Sequence, residues 1–75
     1  MSSAYVMINT VPDKVETVLN DVKEIEGVKE AYIIYGLYDI IAGVEAKKND
    51  DLWDIIIKIR KLKNILSTIT LQVTS

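Results

Sequence analysis

The sequence contains no cysteine and no histidine. Without cysteine, neither a disulfide nor a thiolate metal site can reinforce the fold. Without histidine, the commonest proton shuttle and the commonest nitrogen ligand are missing, so any metal would rest on carboxylates alone. Enzymatic readings therefore start at a disadvantage. Charge of one sign is also scarce: 9 Lys and Arg face 11 Asp and Glu, a net charge of −2. No broad positive field exists to hold a polyphosphate backbone, so nucleic acid is not expected as a direct partner. Long apolar runs are absent as well, each being cut by charge well short of the ~20 residues that span a bilayer. Met1-Ser2-Ser3-Ala4 lacks the basic and apolar regions of a signal peptide. No membrane partner is expected, and the expected location is the cytoplasm.

What is present is aliphatic. Apolar residues make up 49% of the 75, and aromatic ones only 7%, a composition rich in Ile, Leu and Val that excludes disorder. A chain of this length makes one domain, here residues 1–75, and buries only roughly 60 to 65% of the surface its unfolded form exposes. With no disulfide or metal available, self-association is the remaining device for stabilising so thin a core.

Read in order, Ala4 to Thr10 alternates: Ala4, Val6 and Ile8 lie on one face, Tyr5, Met7 and Asn9 on the other, as in a strand. Pro12 stops it. Asp13-Lys14-Val15-Glu16 has the spacing of a capping box and predicts a helix start, with Asp13 as the cap. Val15, Val18, Leu19, Val22 and Ile25 then form one helical stripe, and Gly27 is the expected C′ residue. Val28 to Tyr35 and Tyr38 to Ala46 read as two strands of a hairpin joined at Gly36. Asn49 or Asp50 is expected to cap a second helix with the buried stripe Leu52, Ile55, Ile56, Ile59 and Leu62, and Asn64 is suited to a left-handed end. Ile65 to Thr74 reads as the last strand, with Ile69, Leu71 and Val73 opposite Thr68, Thr70, Gln72 and Thr74. No sequence-level repeat is apparent.

The order β-α-β-β-α-β specifies an α+β fold of ferredoxin-like type, a four-stranded antiparallel sheet with both helices on one face. The other face is then bare although Tyr5, Met7 and an apolar row of the hairpin point to it, which marks an interaction surface. Two sheets packed face to face resolve this.

Several features have ordinary explanations. Lys58, Arg60, Lys61 and Lys63 complement the negative end of a helix, and Asp50 and Asp51 the positive end of the same helix. No metal is therefore called for. Trp53 belongs at the rim of a wide core beside Ile57. Tyr5, Tyr32, Tyr35 and Tyr38 suit sheet pairing and interfaces. Gly36-Leu37-Tyr38-Asp39 offers free amides for a carboxylate and an acid for an amine, but on residues alone a turn with Asp39 bonding its own backbone is the simpler account.

Glu26-Gly27-Val28-Lys29-Glu30-Ala31-Tyr32 before the second strand, Gly36-Leu37-Tyr38-Asp39 in the hairpin, and the order of elements together resemble the effector domain (RAM domain) of the Lrp/AsnC family of feast/famine regulators. In that family the hairpin reads Thr-Gly-x-Tyr/Phe-Asp. Gly36, Tyr38 and Asp39 match, Leu37 is the variable position, and Tyr35 stands in the threonine place. The resemblance implies a dimer formed through the sheets, rings of dimers such as an octamer, and a free amino acid bound between dimers. It also implies a ligand site of Gly36, Leu37, Tyr38 and Asp39, with Thr68 and Thr70 from the last strand, and neither cofactor nor catalytic residue. A stand-alone module of this kind would modulate transcription through full-length regulators rather than by touching DNA. Two other classes stay open: a small dimeric ferredoxin-like enzyme of isomerase or monooxygenase type, and a purely structural assembly domain.

Overall fold

A computed structural model describes residues 1–74. Its elements are β1 (Ser2–Thr10), a 3₁₀ turn (Pro12–Lys14), α1 (Val15–Lys23), β2 (Val28–Ile33), β3 (Ile40–Ala46), α2 (Asn49–Arg60) and β4 (Ile65–Val73). The strands form one antiparallel sheet in the order β2-β3-β1-β4. This is the ferredoxin-like arrangement that the order of elements specifies. Among the described residues no helix is long and apolar enough to cross a membrane.

Alternation along the strands creates the core. Ala4, Val6 and Ile8 of β1, Ala31 of β2, and Ile40, Ala42 and Val44 of β3 point to the helices. There they meet Val18 and Val22 of α1 and Leu52, Ile55, Ile56 and Ile59 of α2. Val15, Leu19, Ile25, Trp53 and Leu62 border this cluster. Trp53 sits at the rim, with the Arg60 guanidinium 6.0 Å from its ring centre, while Ile57 stays exposed.

The helix starts differ from expectation. Asp13 lies inside the 3₁₀ turn, so Lys14 occupies the N-cap of α1 and no side chain caps it. α2 is likewise capped by Lys48 without a side-chain bond, and Asn49 has become the first helical residue. Its Oδ1 instead accepts a hydrogen bond from Gln72 Nε2 at 2.7 Å, tying the helix to β4. Asp50 and Asp51 do lie in the first turn of α2, where the helix dipole favours them. Gly27 is not C′ of α1, whose C-cap is Glu24; it lies further along, at φ +99°.

The two halves of the chain repeat each other at a spacing of 37 residues, Val15 onto Leu52, Val18 onto Ile55, Val22 onto Ile59 and Ile25 onto Leu62. The correspondence extends beyond the stripe. Ile25 and Leu62 donate their amides to Val22 and Ile59 at 3.1 Å. Gly27 and Asn64 (φ +69°) both adopt positive φ. Lys29 and Leu66 are each the extra residue of a β-bulge in the strand that follows. The halves share apolar periodicity and turn geometry but not residue identity, which is why matching residues does not reveal the repeat.

Gly27 is the tighter of the two turns. Its carbonyl accepts from the Glu45 amide at 3.0 Å, and a Cβ there would overlap the Ile55 side chain. Gly27→Ala combines an unfavourable φ with overpacking and should cost about 2 to 4 kcal/mol. Asn64→Gly should shift stability by less than about 1 kcal/mol. Urea unfolding of both variants checks the contrast.

Candidate functional site

The hairpin connection is longer than a tight turn. β2 ends at Ile33 and β3 begins at Ile40, and the gap is closed by the Ile34 amide donating to the Asp39 carbonyl at 2.9 Å. Gly36 holds φ +135°, a conformation that glycine supplies without strain, and its surroundings are open. Among the described residues, no acceptor in the chain pairs with the amides of Tyr35, Gly36, Leu37 or Tyr38. Consecutive free amides in a loop of this kind can receive an anionic group.

Asp39 anchors the loop to β1. Its amide donates to the Ile8 carbonyl at 3.0 Å, and its Oδ2 accepts the Thr10 amide at 2.9 Å. Thr10 is only 3% exposed, so this bond satisfies a buried donor that would otherwise be unpaired. The other carboxylate oxygen has no partner among the described residues. Thr10 is the residue of the candidate site that sequence reasoning missed. It lies 29 positions from Asp39, and nothing local to either residue signals the pairing.

Of the remaining predicted residues, Leu37 is almost fully exposed and Tyr38 partly buried. Tyr35 projects entirely into solvent. Thr68 pairs with Ile8, whose other neighbour is Ile40, so it shares the loop's end of the sheet at about 10 Å, two strand spacings. Thr70 pairs with Val6, further from the loop, and its hydroxyl accepts from Arg60 Nη2 at 3.3 Å. The fold thus joins Gly36 to Asp39 with Thr10, sets Thr68 nearby, and gives Thr70 a partner of its own. Between Lys29 and Lys47 the only charged side chains are Glu30, Asp39 and Glu45, so the loop itself carries no cation beside the Asp39 carboxylate.

The helix-free face carries Tyr5, Met7, Tyr32, Ile41, Ile69 and Leu71, which sit beside one another across the four strands. On its β2 side the Glu30 side chain lies over Gly43, where a Cβ would crowd it at 3.0 Å. The Tyr32 hydroxyl donates to Glu30 Oε1 at 3.2 Å, and this bond and the carboxylate's charge raise the Tyr32 pKa above the usual phenol value. A separate hollow of about 470 Å³, lined by Glu26, Glu45, Asp51 and Lys58 among others, opens at the end of the sheet away from the loop. Among the described residues, no three acidic side chains converge as metal ligands.

The sequence and the fold are both shared with known proteins. The chain matches the Lrp/AsnC ligand binding domain over residues 3–75. A hypothetical protein of Pyrococcus horikoshii superposes with a TM-score of 0.92 at 36% identity, over 100% of this chain and 92% of that one. AsnC of E. coli superposes with a TM-score of 0.90 at 28% identity, over 99% of this chain but 51% of that one. A stretch of 46 residues, 61% of the chain, is 50% identical to the homocitrate synthase of Sulfolobus acidocaldarius, of which it spans 10%. The match to the family along almost the whole sequence, on a fold shared with AsnC, establishes that this chain belongs to the family of Lrp/AsnC ligand binding domains.

Proposed function

We propose that the chain is an amino-acid-sensing assembly module: it binds a free amino acid at the Ile34–Asp39 loop, associates through its helix-free face, and passes the binding signal to a partner regulator. The observation that carries this reading is the loop itself. It sets four unpaired amides beside an acid with one free oxygen. That pairing of donors and charge suits the carboxylate and ammonium of an amino acid. Thr68 adds a hydroxyl at the same end of the sheet. Full-length Lrp/AsnC regulators are the partners that family membership favours. The stretch shared with homocitrate synthase supports a second reading, in which the partner is a biosynthetic enzyme.

The exposed face supports self-association. Four strands about 4.8 Å apart and some seven residues long make a patch on the order of 400 Å² in projection. Paired with itself, such a patch buries close to the ~1,000 Å² that stable interfaces need. Rings of dimers, octamers among them, are the higher assembly this reading allows.

Because Asp39 also satisfies Thr10, the informative substitution keeps its acceptor. Asp39→Asn retains an oxygen for the Thr10 amide but removes the charge. It should leave the apo melting point nearly unchanged and lower affinity about ten- to a hundredfold, the ~1.5 to 3 kcal/mol of a charge-assisted bond. Calorimetry with each common L-amino acid, first on wild type and then on the variant, supplies the comparison. Undiminished affinity in Asp39→Asn would reduce the carboxylate to a turn residue. Asp39→Ala should in addition lose about 1 to 3 kcal/mol of stability, since it strands a buried donor.

Met7 lies between Ile41 and Ile69 in the middle of the face. Met7→Glu places an unpaired charge there, a change that costs several kcal/mol if the face is buried. Light scattering should report a smaller assembly than wild type, and an unaltered mass would rule the face out as a contact.

A further inference from the structure

A solvated turn favours Gly, Pro, Asn, Asp and Ser, yet the hairpin loop sets Tyr35 and Leu37 on either side of Gly36. Among the described residues, Met1 aside, no large apolar side chain is more exposed than these two. The other exposed ones lie on strands or on α2, and those on the helix-free face gain cover wherever that face is packed. Tyr35 and Leu37 follow the end of β2 and precede β3, beyond the strands that form the face. Closing the hairpin requires Gly36 for its φ of +135°, and it gives no reason for an aromatic and a branched aliphatic neighbour.

The free amides of the loop belong to these same residues. Those of Tyr35, Gly36, Leu37 and Tyr38 meet no acceptor in the chain, so a carboxylate held by them lies within one side-chain length of Tyr35, Leu37 and Tyr38. An amino acid anchored there, with its ammonium on the free oxygen of Asp39, projects its own side chain from the carbon between the two anchors, within reach of the same three residues. Asp39 is the one charged residue of the loop. An acidic ligand side chain brings a second negative charge towards it, and a basic one finds in the loop only the carboxylate that the ligand's ammonium already uses. We infer that the loop selects L-amino acids with a large apolar side chain, aromatic or branched, and that Tyr35 and Leu37 are its specificity-determining residues. The inference rests on the amino-acid reading of the loop and adds the class of ligand to it. Tyr35 and Leu37 cover the ligand's apolar part, and the release of water from both surfaces supplies the preference.

Calorimetry with L-phenylalanine, L-leucine, L-alanine, L-aspartate and L-lysine tests the selection. Phenylalanine and leucine should bind at least about tenfold more tightly than the other three. In Tyr35→Ser with Leu37→Ser that preference should collapse to within about threefold, while the affinity for alanine stays as in wild type, because the amides and Asp39 are retained. Both side chains are exposed, so the apo melting point of this variant should be that of wild type. Tyr35→Phe keeps the ring and should keep the preference. Alanine, aspartate or lysine binding as tightly as phenylalanine and leucine would overturn the inference and leave the amino-acid reading standing, whereas a panel in which nothing binds removes both. A preference that survives in the double serine variant would also overturn it. So would an equal loss of affinity for all five accompanied by a changed mass in light scattering, since that result assigns Tyr35 and Leu37 to a contact between copies.

Discussion

A single apolar layer supports this molecule. Val6, Ile8, Ile40 and Ala42 on the sheet press against Val18, Val22, Ile56 and Ile59 on the helices, and the sheet has no second layer behind it. Burial at about 25 cal/mol per Å² is the chief favourable term available, because a chain without cysteine has no disulfide to staple it. Two consequences follow from that constraint. Each strand must alternate strictly, since a one-residue slip would turn the buried set outward, and the row pointing the other way is left on the helix-free face. The same alternation that builds the core therefore creates the apolar face.

The repeated half explains how so small a core is kept in register. Each half ends its helix with a carbonyl-bonded turn, places a partly buried Ile25 or Leu62, turns through a positive-φ residue and enters an edge strand by a bulge. The bulges at Lys29 and Leu66 let the strands leave their turns without shifting the inward set Ala31 or Thr68. Packing is thus shared between halves, while surface charge is not: Glu24 and Glu26 of the first turn correspond to Lys61 and Lys63 of the second. The halves agree where sheet and helices meet and differ where solvent or a partner is met.

Apolar periodicity made most of the fold legible. Period-two runs located β1 and β4, and the two stripes located α1 and α2, because burial decides those positions whatever the neighbouring residues do. Helix starts were less legible. Asp13 and Asn49 had the right chemistry for caps, but the 3₁₀ turn after Pro12 and the bond to Gln72 took them elsewhere. β2 and β3 each stop two residues short of the β-prone run, since the loop needs Ile34 and Asp39 for its own closure. The site divides in the same way. Gly36 and Asp39 carry a local turn signal, whereas the tie from Asp39 to Thr10 and the tie from Arg60 to Thr70 join residues that only the folded chain brings together.

The position of the chain ends follows from the register of β1 and β4. Ser3 pairs with Val73, so among the described residues the chain enters β1 and leaves β4 at one corner of the sheet. β1 then runs its full length before reaching Ile8 and Thr10, the residues that hold Asp39. Nine strand residues span about 30 Å. Anything joined at that corner therefore starts from the end of the sheet opposite the Gly36 loop. The corner acts as a handle and the loop as a tip.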